Sequence, residues 1–306
     1  MTLPLLSPIP LSHLLLGLAM LAALAPVRAP WPWLSLLILA MTAGLIHGQL
    51  TVAAMVPIAA LAGLAWMALE ARQRPRREAV LMGLMFVIGL ALSLHLLPGF
   101  LNPTYLASTS DARGPTLRYL NFDKGVAGLL LLVVLAARQR RDPDPAVASP
   151  RAGTEPLPLP ASGLPRWAPW AVAAATLALP WAIAVATGVG RPTLRWPENA
   201  AVFLAANLFL TCVAEEVAFR GVIQGLLARR HGTDLRTMNG WLPVLLAAVL
   251  FGLAHAAGGP AYVALALLAG LGYGLMYTLS ARIEAAIALH FALNALVFLT
   301  LDLRIG

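Results

Sequence analysis

Charge is what this sequence has least of. Only 11% of its 306 residues are charged, against 60% hydrophobic, and the mean hydropathy is +0.80. A soluble domain carries about 25% charged residues, so a water-dissolved globule is excluded. Cysteine occurs once, as Cys212, which excludes an intramolecular disulfide framework and any cysteine-based metal cluster. Phosphate loops of the GxGxxG and GxxxxGK types are missing, as is the basic and aromatic interleaving of a nucleic-acid surface. No internal repeat is found. The formal charge of +8 therefore does not imply nucleic acid. The basic residues sit in short clusters between apolar runs, as membrane topology signals do.

What is abundant is apolar sequence in long runs. A bilayer core needs about 20 mostly apolar residues per helix, with about 17 to 25 tolerated. Ten segments come near that length: 9–26, 30–47, 50–70, 79–97 and 120–137, then 167–189, 198–228, 241–257, 260–280 and 283–301. The expected fold is thus all-α, a polytopic transmembrane bundle of about ten spans in two blocks. The fifth span is the least regular, because its apolar core is short and Asp123 and Lys124 precede it. The N-terminal run has no Lys or Arg ahead of it, unlike a secretory signal, and is expected to be kept as the first span.

Placing the Arg72–Arg77 cluster in the cytoplasm puts fourteen basic residues inside and six outside, with Arg220 within a helix. That bias follows the positive-inside rule, with both termini outside. The expected division is a five-span membrane block (1–137), a Pro-rich flexible linker (138–166) and a second membrane block (167–306). Repeated Pro, Ala and polar residues in the linker cannot bury a core. Trp31, Trp33, Trp167, Trp170 and Trp241 cluster at span starts, as interfacial anchors do. Gly270, Gly272 and Gly274 lie within a span, where helix packing is their expected role.

Of the 13 carboxylates, only Glu215 and Glu216 fall deep in an expected span. A charge there costs about 2.5 to 3.5 kcal/mol on insertion scales, so an intramembrane acid is a functional hypothesis by default. In TCVAEEVAFRGVIQ, Glu216 and Arg220 are four apart on one helical face, whereas Glu215 points about 100° away. Arg220 would neutralise Glu216 and leave Glu215 free to face a polar cavity. The bland alternative is a charge-paired helix that only stabilises a bundle. FGLAHA places Phe251 and His255 four apart, and ALHFALNAL does the same for His290 and Asn294. With about 1.5 Å of rise per residue, all four polar residues lie at comparable depth, from about 12 to about 21 Å. His13, His47 and His95 are expected to be packing or interface residues. Cys212, three residues before Glu215, is a weaker nucleophile candidate than a small buried apolar residue.

EEVAFR, FGLAH and HFALN fit the EExxxR, FxxxH and HxxxN motifs, in order, of the CAAX prenyl protease and bacteriocin-processing (CPBP, Abi) family, and 167–301 resembles its type II CAAX prenyl proteases. The resemblance implies a CPBP-like intramembrane endopeptidase domain in 167–306, acting on a membrane-associated or prenylated protein in the lipid of a plasma (bacterial inner) membrane. It implies that Glu215 with His255 activates water and that His290 and Asn294 stabilise the oxyanion, with Glu216, Arg220 and Phe251 in support. The chemistry agrees: hydrolysis needs a base, burial can raise a carboxyl's pKa toward working pH, and donors aimed at a developing oxyanion are worth several kcal/mol. No cofactor is expected on this reading. Two His and one Glu also match a catalytic zinc site, which would be Glu215, His255 and His290; Asn294 suits an oxyanion donor better than a zinc ligand. A proton-coupled transporter and a non-catalytic immunity or scaffold protein are the competing readings.

Overall fold

The computed structural model describes residues 9–25, 29–71, 74–108, 116–139, 165 and 167–303. Among them the chain forms ten helices: α1 (Leu11–Leu24), α2 (Trp31–Ile46), α3 (Met55–Glu70), α4 (Pro75–Ser93), α5 (Phe122–Gln139), α6 (Ala168–Ala186), α7 (Ala200–His231), α8 (Met238–Leu253), α9 (Gly259–Ser280) and α10 (Ile283–Thr300). Two small antiparallel pairs complete it. Strand β1 (Thr104–Ser108) pairs with β2 (Thr116–Tyr119), and β3 (Gly190–Pro192) pairs with β4 (Leu301–Leu303), with Arg191 opposite Asp302. All-helical segments satisfy every backbone group internally, which is what a bilayer demands. The 138–166 linker lies outside the described residues, apart from Arg138 and Gln139, which end α5, and Pro165.

A helix occupies each of the ten expected positions. Five stretches are long and apolar enough to cross a membrane: Val52–Glu70, Ala168–Ala186, Ala200–His231, Ala256–Ser280 and Ile283–Thr300. Leu11–Leu24, Trp31–Ile46 and Met238–Leu253 are apolar but shorter. Helix α4 begins with Arg76, Arg77 and Glu78, and α5 carries Asp123, Lys124 and Arg138. The helices start where the sequence allows. Proline stands in the first turn of α2, α4, α6 and α9, where its missing N–H has no intrahelical partner to lose. Thr237 caps α8 by accepting from the Gly240 N–H at 3.2 Å.

The described residues group into two compact units. One takes α1–α5, the β1–β2 hairpin and α7 up to Val217; the other takes α6, α7 from Ala218, α8–α10 and the β3–β4 pair. In the first unit α5 is the centre, packed by α1, α3, α4 and α7. Every residue from Gly125 to Ala136 is buried. A helix apolar on all sides belongs inside protein, so the run with the short apolar core, preceded by Asp123 and Lys124, is the core helix. At its far end Arg138 Nε donates to Glu78 Oε1 at 2.6 Å, joining α5 to the start of α4. In the second unit α9 is central, packed by α6, α8 and α10. Its glycines meet neighbours directly: a Cβ on Gly272 would lie 2.0 Å from Thr176 Oγ1, and one on Gly270 3.0 Å from the Phe251 ring.

Candidate functional site

Helix α7 is not a regular α-helix. It widens to π geometry at Asn207–Cys212 and again at Val217–Gln224, leaving a single α-helical turn, Val213–Glu216, between them. Such π segments recur at functional sites, because the i→i+5 register re-aims side chains. Both acids stand on the intervening turn. Cys212, fully buried, donates its thiol to Asn207 Oδ1 at 3.2 Å within the first π stretch, so its environment is that of a packed side chain.

Glu215 is not the free carboxylate expected from sequence. Lys124 Nζ donates to its Oε1 at 2.6 Å, and the two side chains are only 15% and 16% exposed. The sequence counted Lys124 among the outside charges, just ahead of the fifth span's apolar core; it stands in the first turn of α5, with its ammonium on Glu215 of α7. One turn further on, Gly128 lets the helices approach: a Cβ there would come within 2.9 Å of Ala214 Cα. Small residues at such crossings are what close helix packing requires.

Asp123, next to Lys124, is turned elsewhere. His95 Nδ1 lies 2.7 Å from Asp123 Oδ2, and Asn102 Nδ2 donates to the same oxygen at 3.1 Å. Asp123 Oδ1 accepts from the Lys124 N–H at 2.8 Å, and Asn102 Oδ1 accepts from the Phe122 N–H at 2.9 Å. His95 is half-exposed just past the end of α4, a hydrogen-bond partner of Asp123 at the kind of interface position expected, held in a left-handed backbone conformation at φ 57°. His13 packs as expected, edge-on to Phe122, with Nε2 on the Leu120 carbonyl at 3.0 Å.

In the second unit a single ring, Phe251, organises two of the four expected site residues. His255 lies 4.7 Å and His290 5.6 Å from it, centroid to centroid. Phe219 and Tyr273 meet the same ring edge-on, and the Arg220 guanidinium sits 5.2 Å over it. Arg220 also lies 5.9 Å over Tyr273, whose ring stacks on His290 at 4.5 Å with only 15° between planes. A cation over a ring face is attracted by the quadrupole, more so without water, and Arg220, Phe251 and Tyr273 are all buried.

His255 follows the end of α8, where the chain leaves the helix through Ala256–Gly258. Its Nδ1 lies 2.8 Å from the Phe251 carbonyl. A carbonyl only accepts, so Nδ1 carries the proton and Nε2 keeps its lone pair in the neutral ring. The residue is half-buried, with Tyr262 edge-on at 5.5 Å. Asn294 is also half-buried, one turn after the buried His290 on α10. Glu216 is fully buried in the first unit.

Sequence reasoning missed Lys124, Tyr262 and Tyr273. Nothing in spacing signals Lys124, which is 91 positions from Glu215. Tyr273 stands three residues after Gly270 in GLGYG, and the small residues on either side are the one available hint of a ring set against a close neighbour. Among the described residues, no three or more His, Cys, Asp or Glu side chains are grouped so that they could hold a metal ion.

Residues 197–296 match the family model of the Type II CAAX prenyl endopeptidase Rce1-like proteins. The matched stretch holds α7, α8, α9 and the part of α10 that carries His290 and Asn294. No match was found among curated proteins or among solved structures.

Proposed function

With a Type II CAAX prenyl endopeptidase Rce1-like domain at 197–296 of a helical membrane protein as the premise, we propose that the chain is an intramembrane endopeptidase that hydrolyses a peptide bond in a membrane-associated, CAAX-type prenylated protein. Its site residues are Glu215, His255, His290 and Asn294, and its reaction uses water without a metal. Glu215 takes a proton from water, assisted by the His255 Nε2 lone pair. The water oxygen adds to the scissile carbonyl carbon, and the carbonyl oxygen becomes an oxyanion. Asn294 Nδ2–H and a His290 N–H donate to that oxygen, in surroundings where such donors are worth several kcal/mol. The C–N bond then breaks as the proton held by Glu215 passes to the leaving nitrogen. The chain crosses a plasma or bacterial inner membrane ten times on this reading, with Arg229, Arg230 and Arg236 on the cytoplasmic side.

Two observations support the proposal: the matched stretch contains all four residues, and the 2.8 Å contact of His255 Nδ1 with the Phe251 carbonyl favours the tautomer whose Nε2 can accept a proton. General-base catalysis is worth roughly 10² to 10⁴-fold. Membrane proteomes from cells with wild-type protein, Glu215→Gln or His255→Ala are therefore compared for new peptide termini, with metal content measured on the same preparations. Termini seen with wild type alone, from protein free of stoichiometric zinc, are the expected result. Termini that persist in Glu215→Gln, or cleavage that tracks bound zinc, would contradict it.

A further inference from the structure

The N-terminal helices are outside the Rce1-like match, yet one of them reaches the acid on which the proposed chemistry turns. Lys124 Nζ and Glu215 Oε1 are 2.6 Å apart, both side chains largely shielded from solvent. Resting on the endopeptidase reading, we propose that Lys124 is a positioning residue for Glu215: its ammonium keeps Glu215 a carboxylate in apolar surroundings and fixes the direction of Oε1.

A carboxylate in a low-dielectric environment is penalised, and a neutral acid cannot take a proton from water. An ammonium within hydrogen-bond distance removes that penalty for the charged form. The local structure is arranged to deliver it. Gly128 brings α5 against Ala214, the residue before Glu215, and Lys124 lies one turn back on that face. Its nearest acidic neighbour in sequence, Asp123, is occupied by His95 and Asn102. Asp123 also accepts from the Lys124 backbone N–H. Lys124 thus has its charge directed to Glu215, and the first block supplies a part of the site that residues 167–306 lack.

Two readouts on the full-length protein in lipid test this, one of them independent of catalysis. The first is labelling by a hydrophobic carbodiimide, which reacts with protonated carboxyls and spares ionised ones; Glu215 modification is read by peptide mass spectrometry. Wild type and Lys124→Arg are expected to stay unlabelled at Glu215, and Lys124→Met to be labelled. The second is cleavage of a prenylated peptide. Lys124→Met is expected to lose on the order of 10²-fold in kcat, the value of a general base, with KM little changed. Lys124→Arg is expected to keep most activity, and propylammonium added to Lys124→Ala to restore part of it, which a merely structural lysine would not show. Glu215 left unlabelled in Lys124→Met overturns the proposal, as does full activity in that variant. Faster cleavage by Lys124→Met overturns it too, since the lysine would then be a lock on the acid. A wild type that cleaves no peptide defeats the endopeptidase reading, while the labelling comparison still decides whether Lys124 sets the state of Glu215.

Discussion

At the scale of single residues, Phe251 is where the second unit's polar chemistry is held. One ring is shared by His255, His290, Tyr273, Phe219 and the Arg220 guanidinium, so removing it loosens both imidazoles at once. Phe251→Ala is expected to cost about 3 to 5 kcal/mol, the usual range for a buried Phe truncation. Thermal unfolding in detergent or lipid checks it, and a shift no larger than that of a surface substitution would contradict the shared-ring description. Tyr273→Ala, which removes the ring stacked on His290, is expected to lower the unfolding temperature as well. The candidate residues stood out in the sequence because a Glu pair, two His and an Asn are rare in apolar runs, although each also had a packing reading. Their partners stood out less. Phe251 was visible as the residue one turn before His255, but its contact with His290 depends on how α8, α9 and α10 pack. The role of Lys124 was missed for a different reason: an ion pair between helices leaves no spacing in one sequence.

At the scale of elements, α5 and α7 depart furthest from their patterns. The fifth span was the weakest by length and flanking charge, yet it is the buried centre of its unit. Length and polarity measure fitness for lipid, and a helix enclosed by four others is not in lipid. The two π stretches of α7 carry no periodic signature, because a single widened turn disturbs an apolar pattern too little to be read. Helix positions, by contrast, were legible throughout, since lipid forces long apolar runs. Close packing at glycine supplies two tests. Gly272→Ala sets a Cβ against Thr176 Oγ1 and is expected to cost about 1 to 3 kcal/mol, with Thr176→Ala partly restoring the double variant; additive losses would contradict the contact. Gly128→Leu is expected to push α5 from Ala214. It should expose Glu215 to carbodiimide as Lys124→Met does, and an unlabelled Glu215 in that variant would show that the approach of the helices is not what holds the pair.

At the scale of the whole molecule, the linear order of the chain and its compact units do not coincide. Residues 197–217, which open the matched domain, cluster with the N-terminal helices, and the partition falls after Val217, two residues past Glu215. A reading by sequence blocks could not find this, because linkers and composition mark where the chain is loose and not where helices pack. The ten-span topology makes its own statement. Cysteines at Met238 and Leu101, both exposed positions, are expected to react with an impermeant thiol reagent from opposite faces of sealed vesicles, and reaction from one face would remove the proposed orientation. The account as a whole depends on Glu215 acting on water. Its most direct test is purified protein in liposomes given a peptide with a prenylated CAAX terminus, followed by mass spectrometry in the presence of a zinc chelator. Wild type is expected to release a C-terminal fragment with its new amino terminus, and Glu215→Gln, folded to the same melting temperature, to release none. Equal release by the two proteins would contradict the account.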